Sequence, residues 1–157
     1  MYLISGGIVQ KLLYQLKYNG KKEIGNFLGK MYASHLKHLD HLDMIVPVPI
    51  HASRLRSRGY NQSKNFADGL SDVLAIEVRD DLVERITKTE TQTNKSKIER
   101  WENVTNIYSE IKADIAGSSV LIVDDAITTG ATISMLCERF VEAEVKEIHL
   151  ASIARGK

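Results

Sequence analysis

Cysteine is nearly absent: Cys137 stands alone, so the chain can form no internal disulfide and no cysteine-rich zinc site. That fits a reducing compartment, and the expected location is the cytoplasm. Charge of one sign is missing too. The 21 Lys and Arg face 20 Asp and Glu, and a net +1 sets up no global field toward nucleic acid or an anionic membrane. No apolar run reaches the length of a membrane span, and the opening MYLISGGIVQKLL has neither a basic leader nor an evident cleavage site, so membrane insertion and export are not expected. Proline is scarce, and both copies, Pro47 and Pro49, fall in one short apolar run. What is present is ordinary: 43% hydrophobic and 26% charged residues, in a length that suits a single domain over 1–157.

Helices and strands alternate along the chain. GIVQKLLYQLKY (7–18) places Ile8, Leu12, Leu13 and Leu16 at helical spacing before an Asn19-Gly20 stop, and a second helix is expected over 22–39. DMIVPVPI (43–50) is too short for a helix, and its prolines make it a strand entering a constrained loop. Phe66, Leu70, Val73 and Leu74 mark a helix over 61–74, followed by short strands at 76–78 and 82–86. TKTETQTNKSK (87–97) has no apolar residue and reads as a mobile surface segment, with a helix resuming near Ser96 and a strand at 106–109. The clearest unit comes last: SVLIVDD as a buried strand, a short loop, ATISMLCERFVEA as a helix and EIHLASIA as a strand. Two strand-helix-strand units, around 44–78 and 119–153, predict an α/β fold with a mostly parallel central sheet flanked by helices.

In such sheets ligands bind beyond the carboxyl ends of the strands, which is where Asp124 and Asp125 fall. Thr128, Thr129, Gly130, Ala131 and Thr132 follow, offering hydroxyls, a glycine that permits close backbone approach and the positive end of the next helix. That loop suits a phosphate. The carboxylates would repel the same phosphate, but they accept hydrogen bonds from neighbouring sugar hydroxyls and can hold Mg²⁺ directly or through water. Together the stretch describes a ribose 5-phosphate. With no Lys after the glycine it is not a Walker loop, nor is it a dinucleotide fingerprint. The plain structural alternative is an Asp that caps the helix, with threonines serving only the turn.

A second anion site is expected upstream. Residues 51–67 contain Arg54, Arg56, Arg58 and Lys64 and no acidic residue, and the Pro47, Pro49 frame would stiffen the loop presenting them. Pyrophosphate fits, with Arg54 and Arg58 as the chosen contacts, although a solvated basic surface reads the same way in sequence. Gly59, Tyr60 and Asn61 suit a turn and a helix N-cap, Asn61 above all.

VLIVDDAITTGAT (120–132) resembles the phosphoribosyl pyrophosphate (PRPP) loop of type I phosphoribosyltransferases. With LKYNGKKEIGNFLG, VPVPIHASRLRSRGYNQS, LVERITKTETQTNKSKIERWENV and LASIARGK, nearly the whole chain resembles the ComF family, also called GntX-like or competence protein F-like. The resemblance implies a type I phosphoribosyltransferase fold with a small hood. It implies that Asp124 and Asp125 meet the ribose hydroxyls and serve as the catalytic pair, and that Ala126 and Thr128 to Thr132 hold the 5-phosphate. The loop after Val48, with Pro49, His51, Arg54 and Arg58, would hold pyrophosphate. Arg85, Thr89, Gln92, Arg100 and Asn103 match the family's hood. Mg²⁺ would come chiefly with PRPP, with Asp124 and Asp125 as additional ligands. A closing hood has a use, because loss of pyrophosphate leaves an oxocarbenium-like sugar that water would capture; Lys88, Lys95 and Lys97 in the polar segment suit pyrophosphate charge. The zinc ribbon that usually opens ComF proteins has no cysteines here to build it, which weakens the carry-over of the family's DNA-uptake role but not of the PRPP site.

The expected activity is transfer of phosphoribose from PRPP to an acceptor the sequence does not name. The alternative is a non-catalytic PRPP-binding or DNA-uptake accessory protein, partnered by competence or DNA-transport proteins. A nucleic-acid module built on 51–67 is the weakest reading, given the balanced charge. HLKHLDHLD (35–43) spaces His35, His38 and His41 three apart, but Leu36, Leu39 and Leu42 form the stripe that faces a core, which turns the histidines to a rim rather than to a metal. Cys137 and Trp101 read as packing residues.

Overall fold

The computed structural model describes residues 7–39, 41–86 and 107–156. The element order is α1 (Ile8–Tyr18), α2 (Glu23–Ala33), a 3₁₀ turn (Ser34–Leu36), β1 (Met44–Pro47), α3 (Ala52–Arg58), α4 (Gln62–Leu74), β2 (Glu77–Val78), β3 (Ser119–Ile127), α5 (Ala131–Glu142) and β4 (Glu147–Arg155). The strands form one sheet in the order β2-β1-β3-β4, and every pair is parallel. The expected α/β architecture is therefore present.

Residue alternation along β3 explains why both faces are covered. Val120 and Ile122 pack with Ile133, Leu136 and Phe140 of α5, while Leu121 and Val123 pack with Phe66, Ala67 and Leu70 of α4. Burial of both faces is why SVLIV reads as an unbroken apolar run. On the second face α2 and α4 cross at glycines. A Cβ on Gly29 would strike the Phe66 carbonyl oxygen and one on Gly69 the Asn26 carbonyl oxygen, so only glycine permits this approach.

Several local expectations need correction. The helix expected over 22–39 ends at Ala33 and tightens into the 3₁₀ turn, which tucks Leu36 and, through the following turn, Leu42 into the core. Ile8, expected on the buried stripe of α1, is 76% exposed, whereas Leu16 is fully buried. The segment 82–86 is not a strand; it makes one antiparallel bridge, Arg85 to Tyr108, and inserts Leu82 and Val83 into the core. The polar segment 87–97, the helix near Ser96 and Trp101 lie outside the described residues. Helix α3 stands where the sequence predicts loop, because its single large apolar residue, Leu55, leaves no periodicity to detect. Its ends are nonetheless specified: the His51 ring accepts from the Ser53 amide at one end, and Gly59, at φ 83°, returns its N–H to Leu55 at the other.

Candidate functional site

β1 and β3 stop pairing at Pro47 and Val123, and one further bond runs from the Val48 amide to the Val123 carbonyl at 2.9 Å. β3 then continues beside β4 alone, through Ala126 and Ile127. The chain leaves β1 toward β2 on one side and leaves β3 toward β4 on the other, so the strands diverge at a topological switch point. Asp124 and Asp125 are the first residues past that divergence. The strand was expected to end with them; it runs on to Ile127 because β4 keeps pairing as far as Arg155.

A cavity of about 600 Å³ opens there. Its lining includes Asp124, Asp125 and Ala126 from the end of β3, Thr128, Thr129, Gly130 and Thr132 from the loop that follows, and Pro49, Arg54 and Arg58 from the segment after β1, with Arg85. The aspartates, the threonine loop and the arginine loop, 70 residues apart in sequence between Arg54 and Asp124, thus share one space as expected. Ala131 opens α5 and His51 caps α3; neither is on the cavity surface. Lys64, counted in the basic stretch, turns to Asp68 at 2.9 Å and Asp80 at 3.8 Å. Asn61 caps α4 as expected, accepting from the Ser63 amide at 3.1 Å while donating to the Val48 carbonyl. Thr89, Gln92, Arg100 and Asn103 lie outside the described residues.

The two carboxylates have different surroundings. Asp124 Oδ1 accepts from the Ser63 hydroxyl at 2.9 Å and from the Asp125 amide at 2.8 Å. Burial, and then the neighbouring Asp125 charge, push its carboxyl up to about 6 against those hydrogen bonds and Lys17. Asp125 is 8% exposed, and its Oδ2 meets Lys17 Nζ at 2.9 Å. That contact is an ion pair without a well-directed hydrogen bond, which leaves Oδ2 lone-pair capacity unspent. On the phosphate side Gly130, at φ 83°, begins α5 with no side-chain cap. Among the described residues the Thr129 hydroxyl reaches the Ala131 amide, at 3.4 Å, and the first-turn amides beyond it have no side-chain cap.

Sequence reading missed part of this lining: Lys17 and Tyr18 from the end of α1, Ser57 from α3, Gln62 and Ser63 from α4, and Ile133 from α5. Lys17 is delivered by a tertiary contact, since the Tyr60 hydroxyl donates to the Leu16 carbonyl and pins the end of α1 beside the loop. Gln62 is 2% exposed, and its Nε2 has no hydrogen-bond partner among the described residues. The legible hint was the polar pair Gln62-Ser63 directly after a cap on a helix otherwise patterned for burial. The Arg58 guanidinium stacks over the Tyr18 ring at 5.9 Å, which aims it toward the cavity.

The phosphoribosyl transferase domain family matches residues 45–157. Competence protein F of Haemophilus influenzae is 34% identical over 116 residues, 73% of this chain and 51% of that protein. DNA utilization protein YhgH of Escherichia coli is 31% identical over 133 residues, 81% of this chain and 58% of that protein. The chain thus spans a little over half the length of these curated relatives. Among solved structures, a purine phosphoribosyltransferase from Pyrococcus horikoshii superposes with a TM-score of 0.54 at 20% identity, over 82% of this chain and 70% of that one, a likeness of fold. The family match begins inside β1 and takes in the aspartates, the threonine loop and the arginine loop alike; the chain belongs to the phosphoribosyl transferase domain family, with ComF-like proteins as its sequence relatives.

Proposed function

We propose that this protein binds PRPP together with Mg²⁺ and transfers the phosphoribosyl group to an acceptor nucleophile, releasing pyrophosphate. One observation carries the reading: a single cavity is lined by a carboxylate pair, an uncapped helix start with threonines, and two arginines. A ribose bearing phosphate at C5 and diphosphate at C1 needs all three chemistries in one space. Asp124 and Asp125 accept from the ribose hydroxyls, the loop at Thr128 to Thr132 donates to the 5-phosphate, and Arg54 and Arg58 meet the diphosphate. As the bond from C1 to the diphosphate oxygen breaks, its electron pair leaves with pyrophosphate and the acceptor's lone pair forms the new bond to C1. The carboxylates then lie near the developing positive charge, so positioning and charge stabilisation supply the catalysis without a protein nucleophile.

The site fits Mg²⁺ by its donors: a hard cation takes oxygen ligands, and the carboxylates of Asp124 and Asp125 belong to two residues on the cavity lining. When bound, the ion would neutralise diphosphate charge and improve the leaving group.

The test is calorimetric titration of PRPP with Mg²⁺ into the wild type and into Asp124→Asn/Asp125→Asn, with ribose 5-phosphate and ATP as controls. Binding that is lost in the double variant supports the reading, and pyrophosphate release is then screened across nitrogen-base acceptors. No binding by folded wild type overturns it. A second reading, PRPP binding without turnover in an accessory role, is favoured by relatives named for competence and DNA utilization. It predicts binding with no pyrophosphate release for any acceptor.

A further inference from the structure

At the other end of the sheet, His41, Glu147 and His149 converge. Glu147 and His149 lie two residues apart at the start of β4, so the strand's period of two puts them on one face. His41 comes from the turn before β1. Glu147 Oε2 is shared between the two imidazoles, at 3.2 Å from His41 Nε2 and 3.1 Å from His149 Nε2, while Oε1 is occupied by Lys146 at 3.2 Å. The His41 and His149 rings meet edge to face, with centroids 5.6 Å apart.

The three donor atoms lie within 4.8 Å of one another. A tetrahedral ion with bonds of about 2.0–2.1 Å spaces its ligand atoms about 3.3 Å apart, close to the nitrogen-to-oxygen separations already present. The scaffold beneath is held independently of any ion. Leu42, next to His41, is buried, and Asp43 binds Ser119 twice, through its own amide to the Ser119 carbonyl at 2.9 Å and its carboxylate to the Ser119 amide at 2.7 Å. Ser119 is in turn the β3 residue paired with Glu147. The turn and the strand that supply the ligands are therefore locked in register by backbone hydrogen bonds.

We infer that His41, Glu147 and His149 form a binding site for a divalent transition metal ion of the Zn²⁺ class, with two imidazole nitrogens and one carboxylate oxygen as ligands and the remaining position open to solvent. Imidazole donors select such ions over Mg²⁺. The grouping differs from the evenly spaced His35, His38 and His41: only His41 takes part, and its partners come from more than 100 residues away, Glu147 at a sequence separation of 106. The strand's nine residues, at the usual rise, put the site roughly 26 Å from the end of β4 nearest the threonine loop. The ion would staple the turn before β1 to the edge strand and take no part in transfer chemistry.

The test uses the untagged full chain, with Zn²⁺ titrated against a chromogenic chelator and Co²⁺ absorption read for four-coordinate bands. The expected result is one ion per chain, with affinity reduced at least about tenfold in His41→Gln and in His149→Gln. It is expected to be unchanged in Asp124→Asn/Asp125→Asn and in Cys137→Ala. Zn²⁺ should raise the melting temperature of the wild type and not of the histidine variants, whose metal-free melts report that they fold. Absence of binding, equal affinity in the histidine variants, or loss of binding in the aspartate or cysteine variants would each overturn the assignment. None of these outcomes depends on PRPP.

Discussion

Asp124 is the residue whose surroundings oppose its charge. Its carboxyl is raised to about 6 by burial and by Asp125, whereas an unfolded aspartate titrates near ~3.9. The folded state therefore holds the proton more tightly. The stability this provides is complete below about pH 4 and is lost as the pH rises through about 6. Asp124→Asn keeps an oxygen to accept from Ser63 and from the Asp125 amide but removes the buried charge. It is expected to raise unfolding free energy by about 1–3 kcal/mol at pH 7.5, with the gain fading toward pH 4. Denaturant melts of both proteins at the two pH values check this, and an equal gain at both would refute the electrostatic cause. Lys17 pulls the other way, pairing with Asp125 and lowering the Asp124 carboxyl. Lys17→Met should therefore move the acid limb of ligand binding to higher pH, read from PRPP affinity between pH 5 and 8. The aspartates were legible because a carboxylate pair at a strand end has few other uses. Lys17 was not, since only the contact of Tyr60 with the Leu16 carbonyl brings it to them.

Among the elements, α2 and α4 show what periodicity hides. Gly25, Gly29 and Gly69 gave no signal as a packing motif, yet a Cβ on Gly69 collides with Asn26 backbone that cannot move without moving α2. Gly69→Ala is expected to cost about 1–3 kcal/mol or more, because backbone, not a flexible side chain, must yield. A Tm equal to wild type would show that the helices can separate cheaply. The other elements divide by their information content. β3 and α5 were readable because each buries a long apolar face; α3 was not, because its ends are written in His51 and Gly59 rather than in its interior. The strand expected at 82–86 failed for the opposite reason. Leu82 and Val83 are apolar for core packing, not for sheet pairing.

For the molecule as a whole, the proposed ligand would link fold and site. A compound that binds only the native state stabilises it by about 2.7 kcal/mol at a hundred times its Kd. PRPP with Mg²⁺ should thus raise the melting temperature of the wild type and leave that of Asp124→Asn/Asp125→Asn unmoved. A shift of equal size in both would place the ligand elsewhere. The sheet itself was legible because two strand-helix-strand units leave few topologies open. That both loops open onto one cavity follows from their shared place beyond the strand ends; that Lys17 and Gln62 join them does not, since no local pattern brings residues 17 and 62 to residues 54 and 124.

The point where β1 stops and β3 continues has one more implication. Val123 is fully buried and is the last β3 residue paired with β1; its neighbour Asp124 is the first to border the cavity. A single peptide bond therefore separates a residue held wholly by the core from one that the cavity reaches. Truncating Val123 should weaken the protein yet spare affinity in whatever fraction folds, whereas Asp124→Asn should strengthen the protein and, on the proposed function, abolish binding. Drift toward a merely stable descendant would begin on the cavity side of that bond, and it would leave the sheet intact.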